Sequence, residues 1–99
     1  MIIRVSEASV RPDRVEDFMI RLHELVAGFP EAHPGLLRHE VLVDLEDPTR
    51  VQYVSWWRDE GSLVRYAGPH WRHEPVTFPD EALLLQAPLT LRHFLADKE

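Results

Sequence analysis

Residues 50–58 read RVQYVSWWR, a run rich in the β-branched and aromatic side chains that favour strands. Successive side chains of a strand point to opposite faces of its sheet, so Trp56 and Trp57 cannot share a face. One of them is expected to lie under a layer of helices and the other on the far side. The pattern therefore predicts a sheet whose two faces are both apolar near this strand.

The segments on either side of this strand predict an alternation of strands and helices in a single domain, residues 1–99. The expected elements are a strand over 2–11, a helix from Pro12 to Gly28, strands over 36–44 and 50–58, a short helix from Asp59 to about Ala67, and a strand over 83–95. The short polar turn 45–49 makes the second and third strands an antiparallel hairpin. Residues 69–82 hold three prolines and are expected to be irregular, with at most one helical turn. The order β-α-β-β-α-β predicts an α+β, ferredoxin-like fold with a four-stranded antiparallel sheet.

The last strand also carries apolar side chains on both of its faces, with Leu89, Leu91 and Leu95 opposite Phe94. One layer of helices covers only one face, and soluble monomers rarely leave a large apolar patch exposed. A second copy packed face to face would cover it, which predicts a homodimer. The alternative is that one tryptophan is simply half-exposed at the rim of the sheet.

Composition excludes several classes of function. The chain has no cysteine, which rules out disulfides, cysteine-bound metal centres and thiol nucleophiles. Its 17 acidic and 11 basic residues give a net charge of −6, which disfavours a nucleic-acid partner. No apolar run reaches the roughly 18 residues needed to span a bilayer, and no signal pattern opens the sequence. We therefore expect a cytoplasmic protein with neither a membrane nor a nucleic-acid partner.

The densest group of reactive side chains is His70-Trp71-Arg72-His73-Glu74. Because histidine titrates near neutrality, His70 is a candidate base, and His73 a candidate for contacting a substrate. The two histidines and Glu74 could bind a metal if helical, but prolines flank the segment and no further ligand is suitably spaced. We therefore predict no metal, and because the four glycines are scattered rather than gathered in a phosphate-binding loop, we predict no other cofactor. The alternative is a surface loop whose histidines only cap its turns.

Aromatic side chains near the short helix suit a flat ligand. Trp57, Tyr66 and Trp71 are candidates for stacking on it, and plain core packing is the alternative for Trp57. His39 lies on the same predicted strand face as Val41, where it could enter a cavity or sit at a rim or interface. His93 on the last strand has the same two interpretations.

The topology and local motifs resemble the antibiotic biosynthesis monooxygenase family of the dimeric α/β-barrel superfamily. The matching features are Val10-Arg11-Pro12-Asp13 before a helix with Phe18, Pro34-Gly35 before the second strand, Asp47-Pro48 in the hairpin, Trp57 at the end of the third strand, Asp59-Glu60 opening the short helix, and His70 beyond it. They cover residues 2–70 and the last strand. The resemblance implies a dimeric barrel of two sheets and a cavity between the sheet and the helices of each subunit.

The resemblance also implies several activities. Family members include monooxygenases that oxidise phenols, anthrones or quinols with O2 and without a cofactor, and others that degrade haem. A histidine common on the family's short helix is replaced here by Tyr66, and a second one corresponds to His70. Haem-degrading members use an asparagine, a tryptophan and a histidine, and the first two positions correspond here to Ser6 and Tyr66, with no clear match for the histidine.

The resulting hypothesis is a homodimeric, cofactor-independent monooxygenase acting on a small aromatic compound. Tyr66 and His70 are its expected catalytic residues. The expected substrate-binding residues are Ser6, Trp57, Trp71, His73 and His39, with Ser6 included through the resemblance alone. A non-catalytic ligand-binding or sensor dimer on the same fold is the second hypothesis. A haem-binding or haem-degrading protein is the third.

Overall fold

The computed structural model describes residues 1–97 and builds them around one antiparallel sheet. Its strands are β1 (Ile2–Ser9), β2 (Leu36–Val43), β3 (Arg50–Trp57) and β4 (Thr90–Leu95), in the spatial order β2-β3-β1-β4. The helices are α1 (Val15–Ala27), the single turn α2 (Phe29–Ala32) and α3 (Glu60–Ala67). This arrangement confirms the ferredoxin-like α+β fold.

The helices form where the sequence supplies an apolar stripe and caps. In α1, Phe18, Leu22 and Val26 recur at helical spacing and are buried against the sheet. In α3, the Asp59 carboxylate accepts a hydrogen bond from the Ser62 N–H at 2.8 Å, which satisfies a free donor of the first turn. Gly68 ends α3 at φ 89°, a conformation that suits glycine. No helix within residues 1–97 is long and apolar enough to cross a bilayer.

The two faces of the sheet differ as the tryptophan pair predicts. Trp57 is fully buried and packs with Leu63 and Trp71 on the helix side. Trp56 lies on the opposite face, only partly buried, and the Arg38 guanidinium sits 4.7 Å from its ring centroid. The helix-facing side chains of β1 and β3 form the floor of the interior: Ile2, Arg4, Ser6 and Ala8 from β1, and Val51, Tyr53, Ser55 and Trp57 from β3.

The fourth strand begins later than the sequence predicts, which corrects the expected span of 83–95. Residues Glu81–Leu84 form a turn of 3-10 helix instead. Leu85 makes only an isolated bridge to Val10, and the Leu84 carbonyl accepts from the Arg11 N–H at 2.8 Å. Pro88 has no N–H to donate, so continuous pairing with β1 begins only after it.

Other boundaries shift by a few residues. β1 ends at Ser9, and Pro12–Arg14 form a 3-10 turn, so α1 starts at Val15 rather than at Pro12. The chain continues past Gly28 into α2, which the sequence does not predict. Helix α1 itself ends at Ala27 with Gly28 as its cap, and Pro30 fits the first turn of α2 because no N–H is needed there.

Candidate functional site

A cavity lies between the helix-facing side of the sheet and the helices above it. Its volume is about 20 Å³, room for about one water molecule. Aliphatic and aromatic side chains make most of its wall. The polar side chains that reach it are Arg4, Ser6, Tyr53, Tyr66 and Glu81. A mostly apolar wall with a few polar groups is the usual composition of a small-molecule site.

Arg4 is the most unusual of these residues because a guanidinium is buried in the central strand. The residue is only 3% exposed. Its Nη1 donates to the Trp71 carbonyl at 2.6 Å and its Nη2 to the Glu74 carbonyl at 2.8 Å. No carboxylate within residues 1–97 forms an ion pair with it. Burial lowers the pKa of Arg4, yet arginine stays protonated in proteins, so the cavity wall carries a positive charge whose hydrogen-bond acceptors are two carbonyls and the His93 ring rather than a carboxylate.

His93 is the side-chain neighbour of this guanidinium. Its Nε2 lies 3.1 Å from Nη1 of Arg4, and arginine can only donate, so Nε2 accepts and the proton of the neutral ring is on Nδ1. Burial lowers the pKa of His93 to about 4, and the positive charges of Arg4 and Arg72 act in the same direction. The ring also meets Trp71 edge-on, with centroids 4.8 Å apart.

The lowered pKa of His93 predicts that the stability of the fold depends on pH. The folded-state pKa of about 4 lies below the ordinary 6.5, so the unfolded chain binds more protons between these values. We expect the free energy of unfolding to fall as the pH drops from about 6.5 towards about 4. His93→Gln keeps an acceptor for Arg4 and is expected to flatten this dependence in urea unfolding followed across that range. His70→Gln, at an exposed position, is the matched control, and equal slopes in wild type and His93→Gln would contradict the assignment.

Tyr66 projects from α3 to the cavity within a cluster of rings. Its ring centroid is 4.5 Å from that of Trp57 and 5.2 Å from that of Phe29, and the Arg4 guanidinium carbon is 5.7 Å from it. Burial raises the pKa of Tyr66 to about 12. At neutral pH the hydroxyl is therefore protonated and suits a hydrogen-bond donor better than a base.

Besides Arg4 and His93, a second pair of polar side chains, His39 and Tyr53, lies at the side of the cavity next to β2. His39 Nδ1 and the Tyr53 hydroxyl are 2.8 Å apart, with the two rings edge-on. Burial raises the pKa of Tyr53, which keeps its hydroxyl neutral. His39 therefore contacts a residue of the cavity wall, and its own ring is not part of that wall.

The structure places the other sequence-predicted site residues in three positions. Ser6 and Tyr66 line the cavity, and Trp57 and Trp71 stand behind Tyr66 in the adjoining buried cluster. His70 and His73 lie on an exposed turn and do not line it. Their backbones shape that turn, because the His70 carbonyl accepts from the N–H groups of His73 and Glu74 at 3.0 Å. No group of three or more His, Asp or Glu side chains within residues 1–97 could hold a metal ion.

Three polar residues of the cavity wall are missing from the sequence prediction: Arg4, Tyr53 and Glu81. Arg4 did carry a signal, since an arginine alternates there with the apolar side chains of a central strand. Tyr53 lies on the same face as Trp57 and was therefore also accessible to strand periodicity. Glu81 stands in an irregular segment where no periodicity indicates its direction.

Comparison with known proteins places this architecture in a family. The family model described as antibiotic biosynthesis monooxygenase matches residues 1–73. No curated protein matches the sequence.

Solved structures match nearly the whole chain. A conserved protein from Methanosarcina mazei Go1 is 25% identical, with 95% of this chain and 91% of that one covered and a TM-score of 0.75. A proposed antibiotic biosynthesis monooxygenase from Caulobacter crescentus CB15 is 14% identical, with 98% and 90% covered and a TM-score of 0.80. A crystallised antibiotic biosynthesis monooxygenase is 17% identical, with 99% and 100% covered and a TM-score of 0.77. The last two likenesses establish the fold, and the family model, which covers most of the sequence, shows that this chain belongs to the antibiotic biosynthesis monooxygenase family.

Proposed function

We propose that the protein is a cofactor-independent monooxygenase that oxidises a small aromatic compound of the phenol, anthrone or quinol class with O2. Membership of the family supports a monooxygenase type of function. The observation that carries the proposal is the buried Arg4 guanidinium, which faces an aromatic cavity without a carboxylate partner. Such a charge suits a ligand that becomes an anion once it is bound.

The reaction is an oxidation by O2 in which the substrate supplies the electrons. An anthrone first loses a proton from its methylene carbon, and the remaining electron pair spreads onto the carbonyl oxygen. This anion then reduces O2. One oxygen atom forms a new carbonyl at the former methylene carbon, and the other leaves as water with the two hydrogens. Because the first step creates negative charge, a fixed positive group beside the oxygen lowers its barrier.

The polar residues of the cavity have distinct roles in this proposal. Arg4 stabilises the substrate anion, and the neutral Tyr66 hydroxyl donates a hydrogen bond that orients it. Ser6 supplies a second polar contact on the sheet, and Trp57 and Trp71 support the aromatic wall. His70 contributes only if the exposed turn that carries it moves inward.

Entry of an aromatic ring requires the cavity to expand. A volume of about 20 Å³ is far smaller than an aromatic ring needs. Val76, Glu81 and Leu89 close the cavity from the irregular segment between α3 and β4. We propose that this segment yields to admit the substrate, since backbone outside helices and sheets opens at lower free energy.

Oxygen uptake with a panel of quinols and anthrones tests this function. We expect wild-type protein to consume O2 with at least one of them and to yield the corresponding carbonyl product. Tyr66→Phe removes one hydrogen bond to a charged group, which lowers kcat/KM by roughly 10- to 100-fold. His23→Ala, at an exposed position of α1, is the control. Uptake that is unchanged in Tyr66→Phe would remove Tyr66 from the site.

A non-catalytic ligand-binding dimer is the second candidate. Tyr66 stands where the family commonly has a histidine, and its buried hydroxyl stays protonated at neutral pH, which favours binding without proton abstraction by this residue. Tight binding of a quinol without oxygen uptake would establish this function in place of the first.

The proposal includes a homodimer formed through the open face of the sheet. That face carries the apolar side chains Ile3, Val5, Val54, Trp56 and Phe94. Phe94 is 44% exposed, as is Leu42 on β2. Apolar residues from every strand lie on this face beside the ion pairs Arg38–Glu40 and Arg50–Glu7, and packing against a second copy would remove the exposed ones from water.

A further inference from the structure

Glu81 is a buried carboxyl to which the proposed oxidation has so far given no role. The residue is 5% exposed and lines the cavity. Its Oε1 accepts a hydrogen bond from the Phe78 N–H at 3.2 Å. No arginine or lysine within residues 1–97 forms an ion pair with it. Burying a carboxyl without a cation is unfavourable, and such groups are concentrated at functional sites.

The backbone before Glu81 fixes the direction of its side chain. Asp80 adopts φ 64°, a left-handed conformation that is uncommon outside glycine. The 3-10 turn Glu81–Leu84 follows at once, and Leu84 is buried at 2% exposure. The Arg11 N–H donates to the Leu84 carbonyl at 2.8 Å, which ties the turn to the end of β1. Glu81 is thus held over the cavity by the buried end of its own turn.

We propose that Glu81 is the catalytic base that takes the proton from the bound substrate. This role rests on the proposed oxidation and narrows its substrate to a compound with an acidic O–H, or with an acidic C–H that is conjugated with a carbonyl oxygen. In the step, the C–H bond of an anthrone methylene breaks and an O–H bond forms on Glu81. The electron pair moves onto the substrate oxygen, which Arg4 stabilises.

The titratable side chains that line the cavity with Glu81 agree with this role. They are the charged Arg4 of β1 and the neutral hydroxyls of Tyr53 on β3 and Tyr66 on α3. From its own segment, Glu81 is contacted by the Phe78 N–H. The negative charge of Glu81 raises the pKa of Tyr66 and the positive charge of Arg4 lowers it, so all three groups share one electrostatic environment. Burial raises the pKa of Glu81, and a base is most effective when its pKa approaches the working pH.

Proton abstraction can be measured apart from oxidation by hydrogen exchange without oxygen. An anthrone is incubated with the protein in deuterated buffer under argon, and NMR follows the loss of its methylene protons. We expect wild type to accelerate exchange above the buffer rate. Glu81→Gln keeps a side-chain oxygen for the Phe78 N–H but cannot take the proton, so it should reduce the protein-catalysed rate about 10²- to 10⁴-fold. Glu24→Gln, exposed on α1, is the matched control and should exchange like wild type.

The outcomes separate the two proposals. Exchange in Glu81→Gln at the wild-type rate would overturn the catalytic role and leave Glu81 as a cap for Phe78. Exchange in wild type without oxygen uptake in air would support Glu81 and overturn the oxidation. If wild type shows neither exchange nor oxygen uptake, both the role of Glu81 and the oxidation are overturned.

If Glu81→Gln does not fold, Glu81→Asp replaces it. This variant keeps the carboxyl but withdraws it by one methylene, and the role predicts at least a tenfold slower exchange.

Discussion

Replacing Trp57 by alanine is expected to lower the free energy of unfolding by about 3–5 kcal/mol. The indole is fully buried among Leu63, Trp71 and Tyr66, so its removal leaves a cavity that the neighbouring β-strand backbone cannot fill. Its Nε1 also donates to Ser55 Oγ at 2.8 Å, and Ser55 is fully buried. Urea unfolding followed by far-UV circular dichroism at fixed protomer concentration measures the loss, because fluorescence changes with the tryptophan itself.

Trp56→Ala is the matched control, one residue away on the opposite face. Trp56 is partly buried and stacks with the exposed Arg38, so we expect a smaller change in the stability of the protomer. If the open face holds a second copy, the same substitution should shift the protein from dimer to monomer in light scattering. A wild type that is already monomeric would contradict the dimer, and equal losses of stability in both variants of a monomeric protein would contradict this assignment of the two faces.

The sheet was predictable because strand periodicity can be read directly from the sequence. Alternation across β1 and the tryptophan pair of β3 assign each side chain to a face without any knowledge of tertiary contacts. Asp59 and Gly68 likewise mark the two ends of α3 by local chemistry. The start of β4 was not predictable in this way. Leu83, Leu84 and Leu85 are consecutive apolar residues without alternation, and contacts with Val10 and Arg11 decide their conformation.

The candidate site was predictable only in part, for a related reason. Ser6 was found through the family resemblance alone, and Tyr66 as an aromatic side chain with a hydroxyl near the short helix that also corresponds to a family histidine. Arg4 was missed because its carbonyl partners, Trp71 and Glu74, stand 67 and 70 residues further along the chain. His70 is the opposite case. Its chemistry is suitable, but no periodicity assigns a direction to a side chain in an irregular turn, and the structure leaves it exposed.

Arg4→Met is expected to lower kcat/KM for oxygen uptake by about 10²- to 10³-fold, the usual effect of removing a fixed group that stabilises developing charge. Arg4→Lys should recover little of it. A lysine is a point charge on a flexible stem and lacks the planar fork that spans the carbonyls of Trp71 and Glu74. Arg58→Met, at an exposed arginine paired with Asp59, is the control and should keep wild-type uptake.

Arg4 could stabilise the substrate anion, or it could only hold residues 71–74 in place. Two further measurements distinguish these roles. Amide exchange of residues 71–74 should increase in Arg4→Met, because two carbonyls lose their donor. The pKa of His93 should rise, because the neighbouring positive charge that helps to lower it is gone. If oxygen uptake stayed at the wild-type level while both changes occurred, the role of Arg4 would be structural only: it would hold residues 71–74 in place. The charge that the oxidation requires would then have to come from another residue, and none of the other polar side chains of the cavity wall is a permanent cation.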